Sequence, residues 1–157
     1  MTEGNTTNKL TEASPSVQTH LGILQGIIER TAANSTAAKT WCITLVSAIL
    51  VVVAEKEKAD YAFLALVPTL LFLCLDTYYL MLEKGFRNAY ESFVRKLHNG
   101  TLKPDDLYAV RAEGLGFGLC MKALRSFSVW GFYLVLLVLI VLARVVILAP
   151  PDVSLTT

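Results

Sequence analysis

Residues 127–148 (FSVWGFYLVLLVLIVLARVVIL) form an unbroken apolar run with a single charge, Arg144. A helix needs roughly 20 such residues to cross the hydrocarbon core of a bilayer, so this segment has the length and composition of a membrane span. A second run, 61–82, is equally long. A third, Trp41–Ala54, is shorter, and approaches spanning length once Ala37–Thr40 are added with the Lys39 side chain snorkelling outward. Trp41 stands where an interfacial anchor belongs. With 54% hydrophobic and 17% charged residues, and a mean hydropathy of +0.53, water is a poor solvent for this chain. The fold expected is an all-α integral membrane protein with an N-terminal amphipathic helix, a two-span hairpin with a cytoplasmic helical extension, and a third C-terminal span.

The pattern divides the chain as follows. Residues 1–13 are rich in Thr, Asn and Glu without periodicity and read as a disordered tail. Residues 14–40 open with Ser14 as N-cap and Pro15 at the first helical position, and carry Val17, Leu21, Leu24, Ile27 and Ile28 on one face. Gly22 and Gly26 lie four apart on this helix, a spacing that permits close backbone approach or is only chance. Residues 41–82 form the hairpin, its spans joined by the charged hexad Glu55–Asp60. Pro68 is expected to bend the second span.

Residues 83–126 continue as an amphipathic helix on Phe86, Tyr90, Phe93, Val94 and Leu97. Asn99-Gly100 stops it, and a short helix follows from Pro104-Asp105-Asp106 through Val110. Gly114, Gly116 and Gly118 read as a hinge. The third span covers 127–149, and 150–157 is a tail. Lys84, Arg87, Arg95, Lys96, Lys103, Arg111, Lys122 and Arg125 lie between the second and third runs, whereas the hexad holds only Lys56 and Lys58. By the positive-inside rule this connector and the N-terminus face the cytoplasm.

Few groups suit catalysis. The two histidines, His20 and His98, have no Ser, Cys or acid at a spacing that makes a dyad on one helix face. The three cysteines, Cys42, Cys74 and Cys120, are dispersed and read as reduced, and no Cys/His cluster suggests zinc. The chain is therefore read as a non-enzyme without a cofactor. The three Asn-x-Ser/Thr sequons fall on the cytoplasmic side and carry no meaning there.

Ionisable residues inside a span cost about 2.5–3.5 kcal/mol at the bilayer centre and direct attention to themselves. Asp76 lies about 9 Å inside the end of the second span. It either rings a pore mouth with copies from neighbouring subunits or hydrogen-bonds a Tyr or Trp41. Arg144 either snorkels to the outer surface or contributes a ring of charge. Thr40, Thr44 and Ser47 recur at four and three on the first span, so this stripe lines a wet path or satisfies backbone carbonyls. Glu83, Arg87, Glu91 and Arg95 follow at intervals of four and pair along one face. Lys84, Lys96, Lys103, Arg111, Lys122 and Arg125 remain for a cytoplasmic anionic ligand or for lipid headgroups.

This layout, together with the stretch Lys39-Thr40-Trp41-Cys42-Ile43-Thr44-Leu45-Val46-Ser47-Ala48, resembles the small membrane effectors of bacterial nucleotide-signalling and anti-phage operons. These include the SLATT-type proteins and, above all, the Hailong channel effectors, which are partnered with a nucleotidyltransferase. The resemblance covers roughly residues 17–99, and the third run departs from its two-span pattern. It implies a homo-oligomeric ion channel, a tetramer, controlled by a nucleotide or DNA oligomer on the cytoplasmic side. A non-conducting scaffold that recruits a soluble partner is the competing expectation.

Overall fold

The computed structural model describes residues 10–56 and 59–148. Four α-helices account for most of them: α1 (Pro15–Lys56), α2 (Leu66–His98), α3 (Phe117–Leu124) and α4 (Phe127–Leu148), with 3-10 turns at Ala59–Ala65 and Pro104–Asp106. No strand occurs among the described residues. Three helices are long and apolar enough to cross a membrane. The tail expected over 1–13 lies outside the described residues except for 10–13, where Thr11 and Ser14 close a turn. The tail from residue 150 and the middle of the charged hexad lie outside them too.

α1 is one helix of 42 residues, about 63 Å long at 1.5 Å per residue. It passes without interruption through residues 40 and 41, from the segment expected to be cytoplasmic into the first expected span. The reason is local: residues 31–40 hold Ala32, Ala33, Ala37 and Ala38 and neither Gly nor Pro, so helix propensity carries the chain through. Ser14 starts the helix with its carbonyl, which accepts from Val17 and Gln18, while its hydroxyl turns back to the Thr11 N–H.

α2 returns antiparallel to α1. His20 meets Phe93 at one end and Lys39 meets Asp76 further along, a constant register down the hairpin. Pro68 does not bend the middle of this helix. α2 begins at Leu66, so Pro68 falls in the first turn, where a backbone N–H has no intrahelical partner to lose. The other end stops as expected. Gly100 adopts φ +65°, its N–H reaches the Leu97 carbonyl, and the Thr101 N–H reaches Lys96, a Schellman closure.

α4 packs on this hairpin through Val129, Tyr133, Leu136 and Ile140, one face at three- and four-residue spacing, against Cys42, Val46 and Ala65. Outside that core, large apolar side chains stay uncovered: Trp41 is 61% exposed, Leu71 64% and Val146 71%. Apolar surface of this extent is normally covered by lipid or by other subunits.

The connector differs from expectation. The helix anticipated from Pro104 to Val110 is a single 3-10 turn, after which Leu107 is extended and Tyr108 takes φ +62°. Of the three glycines, Gly114 has φ +73°, while Gly118 belongs to α3, an eight-residue helix that intervenes before α4. This loop is pinned to α2 at Gly85, whose carbonyl accepts from the Glu113 N–H at 3.0 Å. A Cβ at Gly85 would stand 3.0 Å from the Ala112 Cβ and 3.1 Å from Leu115 Cδ2, so the loop's close approach depends on glycine.

Candidate functional site

Two polar constellations sit on the α1–α2 hairpin. The first lies among apolar side chains. α1 turns Thr31, Ser35, Ala38, Cys42 and Val46 toward its neighbours, and Lys39 lies on the edge of that face. Its ammonium is 2.7 Å from one oxygen of Asp76 and 2.8 Å from the other, with the carboxylate wholly buried. The Ser35 hydroxyl donates to the same carboxylate and accepts from Lys39 at 3.1 Å. Lys39 therefore points inward instead of snorkelling, and Asp76 is held neither by a Tyr nor by Trp41, which is exposed. A buried carboxylate needs a countercharge and further hydrogen bonds, and α1 supplies both from positions four apart. Nearby in the core, the buried Tyr133 hydroxyl has no hydrogen-bond partner among the described residues.

The second constellation is at the charged end of the bundle, where α1, α2 and the 104–113 loop enclose a cavity of about 290 Å³. His20 and Leu24 of α1, Ser92, Phe93 and Lys96 of α2, and Asp106, Arg111 and Glu113 of the loop line it. His20 is 2% exposed, and its Nδ1 accepts from the Tyr108 backbone N–H at 2.9 Å, which leaves the ring proton on Nε2. Its ring packs 4.3 Å from that of Phe93. Tyr108 is the one non-glycine residue with positive φ among those described, and the bond to His20 helps hold it there. Burial lowers the His20 pKa below the usual imidazole value, with Asp106 opposing. Lys96 and Asp106 pair at 2.8 Å. That hydrogen bond, with a second from the Lys103 backbone N–H, lowers the Asp106 pKa, and Asp106 in turn raises that of Lys96.

The remaining residues singled out in the sequence scatter. Lys96 and Arg111 come together at the cavity. Lys103 meets it only through its backbone bond to Asp106. Lys84 lies elsewhere, its ammonium donating to the Lys122 carbonyl at 3.2 Å, with Arg125 one turn further along the chain. Burial and the neighbouring Lys122 lower the Lys84 pKa, with Glu83 opposing. Of the expected ladder on α2, the Glu83–Arg87 rung is formed, at 2.8 Å.

Thr40, Thr44 and Ser47 are exposed on the face of α1 opposite its buried side. Thr36, Thr40 and Thr44 each donate to the carbonyl four residues back, at 3.2, 3.2 and 2.9 Å, and their oxygens face outward with lone pairs to spare. No neighbour approaches Gly22 or Gly26 within 4 Å of an added Cβ. Arg144 lies 3.4 Å from Asp60 and 4.6 Å from the Phe63 ring centroid, tying α4 to the first 3-10 turn.

Sequence reasoning missed Ser35, Lys39, His20, Tyr108 and Gly85. The signal for the first two was present: Ser35 and Lys39 are four apart beside Cys42 and Val46, on the stripe that α1 buries. No group of three or more His, Cys, Asp or Glu among the described residues is arranged to hold a metal ion. Compared with protein-family profiles, with curated proteins and with solved structures, the chain matches none.

Proposed function

We propose that this chain is the subunit of a homo-oligomeric ion channel in a bacterial inner membrane, with its N-terminus cytoplasmic, acting as the effector of a nucleotide-signalled anti-phage defence. The observation that carries this reading is the outward hydroxyl face of α1. Thr36, Thr40, Thr44 and Ser47 make one exposed polar stripe on a stretch of helix whose other polar side chains, Ser35 and Lys39, turn to Asp76. The threonine O–H groups bond the helix's own carbonyls, and lipid gives the stripe no donor for its remaining lone pairs. Copies arranged around an axis give it water and ions, and three spanning helices enclose no pore alone.

Control follows from the continuity of α1. The same helix that bears the hydroxyl face bears Lys39 at the buried ion pair and His20 at the cytoplasmic cavity. A phosphate-bearing ligand, a nucleotide or a DNA oligomer made by a partner nucleotidyltransferase, meets Arg111 and Lys96 there and competes with Asp106 for Lys96. Binding that favours one seating of α1 on α2 over another shifts the pore between states. The defence role itself rests on the resemblance to anti-phage effectors.

Recording from the purified chain in planar bilayers tests the reading. The expected result is conductance that changes on adding mononucleotides or short single-stranded DNA to the cytoplasmic side, with the response lost in Arg111→Gln. A second reading, a non-conducting scaffold for a soluble partner, draws on Leu115 and Phe117, which are 48% and 82% exposed at the charged end. An intact oligomer that stays electrically silent with every ligand favours it.

A further inference from the structure

A groove lies between α2 and α4, apart from the His20 cavity and bordered on its inner side by Tyr133 near the first constellation. Its volume is about 620 Å³, and Leu73, Leu124, Trp130, Leu134 and Leu137 line the rest of it with Arg125 at one end. The wall is apolar and open to the outside: Trp130 is 48% exposed and Leu134 52%. Trp130 to Leu137 covers about 10 Å along α4, at 1.5 Å per residue. Beside Arg125 stand Lys122, three residues earlier on α3, and Lys84, bonded to the Lys122 carbonyl.

These three cations have no carboxylate ion-pair partner among the described residues, in contrast to Lys96 with Asp106 and Arg87 with Glu83. Positive charge is thus concentrated where an apolar groove opens, at the depth where α2 changes from an apolar to a charged helix. A free phosphate would use the cations and leave the groove empty. A neutral lipid would use the groove and leave the cations without a counterion.

We propose that this groove is a binding site for one anionic phospholipid of the cytoplasmic leaflet, with an acyl chain along Leu73, Leu134 and Leu137 and the headgroup phosphate against Arg125, Lys122 and Lys84. The inference is independent of whether the protein conducts, and it separates these three cations from Lys96 and Arg111 at the cavity. An interfacial basic residue contributes about fivefold in affinity for an anionic lipid.

Trp130 is a built-in reporter, since the chain has only two tryptophans. The full chain carrying Trp41→Phe is reconstituted in phosphatidylcholine vesicles containing brominated phosphatidylglycerol, or in vesicles where phosphatidylcholine carries the bromine instead. The expected result is a preference of at least about fivefold for phosphatidylglycerol in quenching Trp130. It should fall toward unity in Lys122→Gln/Arg125→Gln, and stay unchanged in the control Lys103→Gln and on adding inorganic phosphate. Equal quenching by both lipids overturns the proposal, as does a preference that survives the double variant. Displacement by inorganic phosphate would show a soluble-anion site instead, and absence of quenching by either lipid would show that a second copy of the chain covers the groove.

Discussion

The Lys39 ammonium reaches across from α1 to within 2.7 Å of the Asp76 carboxylate on α2, and Asp76 has no exposed surface. Removing one partner of such a pair strands the other without a countercharge. Asp76→Ala is therefore expected to destabilise the bundle by about 3–5 kcal/mol, whereas Lys39→Met/Asp76→Leu, which removes both charges, should cost much less. Thermal unfolding of these variants and of Lys39→Met alone, in one detergent, checks this, and additive losses would contradict the coupling.

The cavity is expected to loosen in acid. His20 accepts a hydrogen bond at Nδ1, and burial lowers its pKa below the unfolded value near 6.5. Below pH 6.5 the open or unfolded state binds more protons than the closed one, so the stabilisation is present above that value. It is lost as pH falls through the lowered folded pKa. The protection factor of the Tyr108 amide, its exchange rate set against the intrinsic rate at each pH, should fall over that window in the native chain. In His20→Phe the amide lacks its acceptor, and its protection should be low at every pH with no such step.

Gly85→Val should push the 111–115 loop off α2, because even a Cβ there meets Ala112 and Leu115 at 3.0 and 3.1 Å. Overpacking of this kind costs about 1–3 kcal/mol. The loss should localise, with exchange of the Glu113 amide rising and that of Val46 in the bundle core unchanged.

Tyr133→Phe removes a buried hydroxyl that has no partner among the described residues. Deleting such a group without changing the ring's shape should leave stability unchanged or raise it by up to about 1 kcal/mol. A clear loss in thermal unfolding would mean that the hydroxyl is bonded.

The three long apolar helices were legible because two full-length apolar runs and one extended run state their own length requirement. The stop at Asn99-Gly100 was legible for a similar reason: Gly100 supplies the positive φ that the closure needs. What escaped was decided between segments. Lys39 looked like a snorkelling residue because its partner lies far along the chain on the returning helix, and for the same reason Asp76 was matched to a pore mouth, a Tyr or Trp41 and not to Lys39. Pro68 was read against the length of its apolar run, but Ala59–Ala65 spends the first part of that run in a 3-10 turn and moves Pro68 into the opening of the helix. The 104–110 segment carries acceptable helix signals, yet the loop must reach His20, and that long-range bond holds Tyr108 in a conformation no helix contains. His20 itself, alone on an apolar face, gave no sign of the acceptor role it fills.

Thr44 lies within the outward hydroxyl face of α1. In a chain with Cys42→Ala, Cys74→Ala and Cys120→Ala, Thr44→Cys should conduct in planar bilayers and be blocked by a charged methanethiosulfonate, while Val135→Cys on the outer face of α4 should conduct without block. Current that ignores the reagent at Thr44→Cys, or an oligomer that passes no current at all, would contradict a pore lined by that face.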